Sequence, residues 1–192
     1  MTDPPSESSA RRDELLERSY RYILDHGLSS VSLRPLAAAV GSSPRVLLFL
    51  FGSKDGLIRE LLARARADEV ALLAGRPDSA GAGLARSGAE TWRWLCAPEH
   101  RGLLRLWVDS YARSLVDSDG PWAGFAQETV RDWLALLARA QPPRERASPG
   151  GRARRTLVLA ILRGAMLDLL ATGDVRRTTR AVELALDQVA AD

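Results

Sequence analysis

Cysteine, histidine and lysine are nearly absent from this chain of 192 residues, which has one Cys, two His and a single lysine, Lys54, among its 27 cationic side chains. Lone Cys96 excludes an internal disulfide framework and suits a reducing compartment. His26 and His100 lie far apart in sequence, so no Cys/His metal spacing exists. There is no phosphate-binding glycine loop and no G-x-S-x-G turn for a nucleophile. Acid–base, metal and cofactor chemistry lack their usual residues, and no enzymatic activity is expected. Long apolar runs are missing too. The best candidate for the roughly 18 residues of a membrane span, residues 156–171, contains Arg163 and Asp168. The opening MTDPPSESSARR has no apolar stretch of a secretory signal. A soluble, cytoplasmic protein with no membrane partner, no metal and no cofactor is expected.

The last absence is local. Between His26 and Lys54 the chain has no carboxylate, while Arg34, Arg45 and Lys54 supply positive charge. Net charge does not single out this stretch, because the chain carries only +3. A surface without acids is what DNA phosphates require of a docking partner.

What is present reads as helix throughout. Residues 1–10, rich in Ser and Pro, are expected to form a disordered arm. From Arg12, Leu15, Leu16, Ser19, Tyr20, Ile23 and Leu24 recur at three-four spacing, and Gly27 ends that helix. Ser32 is a candidate N-cap for a second helix carrying Leu36, Ala37 and Val40. Gly41 supplies a turn. Ser43 caps a short third helix with Pro44 at its first position, and Ser53 caps a fourth bearing Leu57, Ile58, Leu61, Leu62 and Ala65. The segment GRPDSAGAG, residues 75–83, is a composition break. Beyond it, helices are expected over 84–96, 102–117 (Leu104, Val108, Tyr111 and Leu115 aligned), from Pro121 (Trp122, Ala126, Trp133 and Leu137 aligned), over 152–171, and over 175–190 after Asp174. Residues 142–151 read as a loop. No strand alternation occurs, so the fold class is all-α. The predicted domains are 11–74 and 78–192.

Residues 32–57 read as helix, tight turn, helix and the start of another. Gly41 allows the sharp turn of a helix-turn-helix, and Leu36, Val40, Leu47 and Phe51 provide a wedge between its helices. The outward side of the second helix then carries Pro44, Arg45, Leu48 and Phe49 toward a major groove. Arg45 is the candidate base reader, because guanidinium pairs bidentately with guanine O6 and N7. Ser42 and Ser43, at a helix N-terminus, suit phosphate. Lys54, at the next helix start, and Arg34 are further phosphate candidates.

On Gly41, Ser43, Leu47, Phe51, Ser53, Lys54 and Leu57, residues 12–62 resemble the DNA-binding domain of TetR/AcrR-family transcriptional regulators. The resemblance implies a homodimer on a palindromic operator. It also implies a helical C-terminal domain that binds a small effector and dimerises through its last long helices. Two positions depart from the family pattern. Leu48 stands where the family has tyrosine and Leu50 where it has histidine, so two usual polar contacts to the DNA backbone are missing. Leu48 could instead meet a thymine methyl, Leu50 is expected to turn inward, and operator preference or affinity should change.

All five tryptophans fall between residues 92 and 133. Trp92, Trp107, Tyr111, Trp122, Phe125 and Trp133 are the candidate lining of an apolar or aromatic effector pocket, or they fill the core. Gly83 and Gly88 thin the helix there for a ligand or for a close helix. Arg105, Asp109 and Arg113 form a solvated charge ladder. A helix apolar on all sides must be buried on several, so residues 152–171, with those near 121–140, are expected to form the dimer interface. The expected function is a ligand-responsive, DNA-binding regulator acting as a repressor; the alternative is a helical small-molecule-binding or scaffold protein that has lost DNA binding.

Overall fold

A computed structural model describes residues 7–28, 32–74, 83–117 and 119–191. Its helices are α1 (Glu7–His26), α2 (Leu33–Ala39), α3 (Pro44–Phe51), α4 (Lys54–Ala74), α5 (Leu84–Cys96), α6 (Arg101–Val116), α7 (Phe125–Arg139), α8 (Pro143–Ala147), α9 (Pro149–Thr172) and α10 (Val175–Ala191), with a short 3-10 turn at Pro98–His100. No strand occurs among the described residues. The chain divides into two compact units, Met1–Asp68 with Arg105–Ala126, and Glu69–Leu104 with Gln127–Asp192. Of the composition break at 75–83, residues 75–82 lie outside the described residues, as do residues 1–6 of the expected arm. Residues 7–10 of that arm are helical, the first turn of α1.

In the first unit α1 buries Leu15, Ser19, Tyr20 and Ile23, the face its spacing predicts. Gly27, at φ +76°, ends it. α4 buries Leu57, Ile58, Leu61, Leu62 and Ala65. Polar groups tie the two helices together. The Tyr20 hydroxyl donates to Asp68 Oδ2 at 3.0 Å, and Arg64 lies 4.9 Å over the Tyr20 ring while pairing with both Asp68 and Glu17. Burial, and then the Asp68 carboxylate, push the Tyr20 phenol well above its ordinary pKa.

Four local expectations change. α6 buries Leu103, Leu104, Leu106, Trp107 and Ser110, leaving Leu115 69% exposed. Two helical series fit this segment, and the one containing Trp107 removes more apolar surface from water. α7 starts at Phe125 instead of Pro121. Residues 121–124 form a turn, and the Ala126 N–H donates to Ser114 Oγ on α6 at 3.1 Å, so the cap comes from a distant residue. Residues 142–151 are not a loop but contain α8 and the start of α9. Each begins with a proline, which suits a first helical turn as well as a loop, and Ser148 Oγ caps α9 at Gly151 N, 2.9 Å. Ser32 occupies the N-cap of α2 without a side-chain cap bond.

In the second unit α5 packs against α9 and α10. A Cβ on Gly88 would lie 2.8 Å from Leu186 and 3.2 Å from Val158. Gly88 therefore serves a close helix approach. Trp92 Nε1 donates to Thr179 Oγ1 at 2.9 Å, and Trp133 Nε1 donates to buried Glu69 at 2.7 Å. Arg177 grips Asp168 with two bonds of 2.7 and 2.6 Å across the α9–α10 turn, holding the Asp168 carboxyl below its usual range.

Tyr20→Phe should cost about 1–2 kcal/mol at neutral pH through the lost bond to a carboxylate. Because folding raises the Tyr20 pKa, the stability it provides is complete below an ordinary tyrosine pKa of about 10 and declines as pH rises past it. Denaturant titrations across that range should show an alkaline decline in the parent protein that Tyr20→Phe lessens.

Candidate nucleic-acid interface

The candidate interface is built on α2, the turn after it, α3 and the start of α4. α2 ends because Gly41 adopts φ +68°, which lets the Ser42 N–H fold back to the Ala37 carbonyl at 2.8 Å. A second clasp comes from α1, where Arg18 Nη1 donates to the Val40 carbonyl at 3.2 Å. The wedge forms as the spacing predicts: Leu36, Ala37 and Leu47 are fully buried, Val40 is 3% exposed and Phe51 is 8% exposed.

α3 is started by Ser43, whose Oγ accepts from Val46 N at 3.3 Å, with Pro44 at the first helical position. Proline has no N–H and Val46's is capped, so among the first three residues of α3 the N–H left open is Arg45's. Gly52, at φ +77°, closes α3. Ser53 Oγ accepts from Gly56 N at 2.9 Å, starting α4. Gly56 has to be glycine, since a Cβ there would sit 2.1 Å from the Phe51 carbonyl oxygen.

With the inner face thus locked, Arg45, Leu48 and Phe49 point outward, with Pro44 half-buried. Arg34 on α2, Ser43 before α3 and Lys54 at the start of α4 are exposed, while Ser42 is half-buried. Arg34, Arg45 and Lys54 pair with no carboxylate among the described residues, whereas the α1 and α4 arginines Arg12, Arg18 and Arg64 do. Leu50 is half-buried beside Arg12 and Phe51. Sequence reading missed three supports, Arg12, Arg18 and Gly56. Arg12 lies 5.2 Å over the Phe51 ring and bonds Glu60 at 2.5 Å. Its only signal is an arginine on the otherwise polar side of a helix.

The six aromatic candidates are divided between the two units. Trp107, Tyr111, Trp122 and Phe125 belong to the first unit and Trp92 and Trp133 to the second. Trp107 stacks on Tyr111 with ring centres 4.8 Å apart, and Arg113, bonded to Asp109, lies 5.0 Å over Trp122. Five of the six are 2–8% exposed, and Tyr111 is half-buried. Cys96 is half-buried near Thr179, and burial raises its thiol pKa. His26 and His100 stack on Tyr22 and Trp94. No group of three or more His, Cys, Asp or Glu among the described residues could hold a metal ion, and no described helix is long and apolar enough to cross a membrane.

Among solved structures, a TetR-family transcriptional regulator from Cytophaga hutchinsonii superposes with a TM-score of 0.76 at 13% identity, covering 98% of both chains. The chain has the TetR fold. A second protein of this shape, the multidrug binding protein EbrR complexed with imidazole, gives a TM-score of 0.68 at 22% identity over 94% of this chain and 89% of that one. In sequence, the chain is 32% identical over 139 residues to the HTH-type transcriptional regulator BetI of Rhizobium meliloti (strain 1021), a match covering 70% of this chain and 54% of the relative. The chain thus spans about half the length of that curated relative. No family model matches. The TetR resemblance of residues 12–62 therefore extends, as fold, over nearly the whole chain.

Gly41→Ala should destabilise the protein by about 1–2 kcal/mol, the cost of a left-handed backbone at a residue with a Cβ. The nearest atom to that Cβ, 3.5 Å away on Arg18, adds no clash. Gly41→Asn should cost less, since asparagine tolerates this region. Chemical denaturation of the two variants would distinguish backbone strain from crowding, which would penalise the larger side chain more.

Proposed function

We propose that this protein is a TetR-family transcriptional regulator that binds a palindromic operator as a homodimer and acts as a repressor, releasing DNA when a small apolar or aromatic effector binds. The observation that carries the reading is the outward face of the helix-turn-helix. Arg34, Arg45 and Lys54 stand exposed without a carboxylate partner among the described residues, beside a third helix whose inner face is buried. Arg45 is the base-reading residue. Arg34, Ser42, Ser43 and Lys54 meet phosphates, and Pro44, Leu48 and Phe49 line the groove contact. The named relatives support regulation as the activity.

Dimerisation is a geometric requirement, because two recognition helices must enter successive major grooves about 34 Å apart. α9 supports it with an exposed apolar stripe, Leu157, Ala160, Gly164, Leu167 and Ala171, at alternating spacings of three and four. Leu157 and Leu167 are 51% and 48% exposed, and a Cβ on Gly164 would meet nothing within 4 Å. α10 adds Leu184, 59% exposed. α7 presents Gln127, Arg131 and Arg139 among its exposed positions, which gives the 121–140 part of the expected interface less support than α10. Effector binding rests on the buried aromatic side chains and on a relative in fold, EbrR, whose name is that of a multidrug binding protein. An effector that favours one spacing of the recognition helices would lower operator affinity through that preference.

Binding to the DNA beside its own gene should be specific and steeply salt-dependent, log K falling by about 0.9 per phosphate contact for each tenfold rise in salt. Arg45→Ala should cost about 1–3 kcal/mol and relax specificity at one base pair. Lys54→Ala should weaken all sequences alike and reduce the salt slope by about 1. Equal, weak binding by the parent and both variants would favour a protein that has lost DNA binding.

Leu167→Arg should shift the protein from dimer toward the 20.9 kDa monomer in sedimentation velocity and weaken operator binding with it. A parent protein that is already monomeric would refute the dimer.

A further inference from the structure

The third helix, PRVLLFLF, has one polar side chain, that of Arg45. Adenine is usually read by Asn or Gln and cytosine by Asp or Glu, and α3 has none of these. Its hydrogen-bonding capacity toward bases is therefore limited to a single guanidinium, suited to guanine. Leu47 and Phe51 are committed to the wedge. What stands outward beside Arg45 is hydrocarbon, with Phe49 82% exposed, Val46 40% and Leu48 39%. Single exposed apolar side chains are ordinary, but here three stand exposed on one eight-residue helix.

The surroundings of this patch select its partner. Exposed cations flank it at Arg34, Arg45 and Lys54, none with a carboxylate partner among the described residues. A surface that exposes hydrocarbon together with cations complements one that combines anionic groups with methyl groups. The major groove of duplex DNA is such a surface, and its apolar feature is the C5 methyl of thymine.

Resting on the DNA-binding reading above, we propose that α3 recognises its half-site chiefly through pyrimidine C5 methyl groups, contacted by Phe49, Leu48 and Val46, with Arg45 as the one hydrogen-bonding anchor on guanine. The two leucines that depart from the family pattern then differ in role. Leu48 belongs to the methyl-reading surface, and Leu50, half-buried, supports it from behind. Specificity depends on contact with hydrocarbon, so it falls when a methyl is removed even though base pairing is unchanged.

The test uses the full-length protein. Random-sequence duplexes are enriched on it, and the enriched half-site is remade with deoxyuridine replacing one thymidine at a time. Uracil pairs as thymine does and lacks only the methyl. Removing a contacted methyl should weaken binding about fourfold, with the salt slope unchanged because no phosphate contact is lost. Phe49→Ala, at a position so exposed that the core is untouched, should bind thymidine and deoxyuridine duplexes alike at its own contact. Lys54→Ala should keep the difference while weakening both. Equal affinity for thymidine and deoxyuridine duplexes at every position, or an enriched half-site without thymine, would overturn methyl reading while leaving DNA binding intact. Failure to enrich any duplex overturns both readings, and a protein partner for the same patch would then have to explain it.

Discussion

The burial of Leu47 and Phe51 on one side of α3 is the constraint on which the rest depends. An eight-residue helix is marginal by itself, and its orientation is set by what it buries. Each large apolar side chain taken out of water contributes about 1.5–3 kcal/mol, and Leu36, Ala37 and Val40 complete the buried wedge on the α2 side. A helix turns by about 100° per residue, so a slip of a single residue would carry Arg45 and Phe49 off the outward face. The glycines at the corners permit this arrangement. Gly41 lets α2 stop abruptly, and Gly56 lets α4 begin against the last carbonyl of α3.

Around that wedge the charges are sorted. Four acids of α1 and α4 are paired, Glu14 with Arg11 and Arg18, Glu17 with Arg21 and Arg64, Glu60 with Arg12, and Asp68 with Arg64. Exposed or partly exposed pairs of this kind add little stability. Their consequence is electrostatic, since they occupy Arg11, Arg12, Arg18, Arg21 and Arg64 while Arg34, Arg45 and Lys54 have no carboxylate partner among the described residues. A chain of modest net charge thereby presents one face suited to phosphate. Arg12 and Arg18 have a second role, one packing over Phe51 and the other capping Val40, so α1 steadies both helices of the motif.

Much of this was legible in the chain itself. Ser43–Pro44 and Ser53 are local signals, because a cap bonds a backbone N–H only three residues away. The apolar series of α1 and α4 admit one buried face, and the structure buries it. Legibility failed where two local answers were equally good. α6 offers two apolar series in one helical period. Pro121 and the prolines of 142–151 mark helix starts and loops with the same residues. The cap of α7 comes from Ser114, on another helix, and no pattern within α7 announces it. The division of the aromatic candidates between two compact units likewise has no sign in their order along the chain.

The sequence by itself determined the all-α class, the helix-turn-helix with its turn, caps and wedge, and the stretch without carboxylates, because each depends on interactions within a few residues or on composition. Tertiary structure decided which face of α6 is buried, that Gly88 receives neighbouring helices, that Arg12 and Arg18 brace the motif, and that Phe49 and Leu48 remain in solvent. Those outcomes depend on which surfaces meet, and burial and charge pairing between distant residues exist only once the chain has folded.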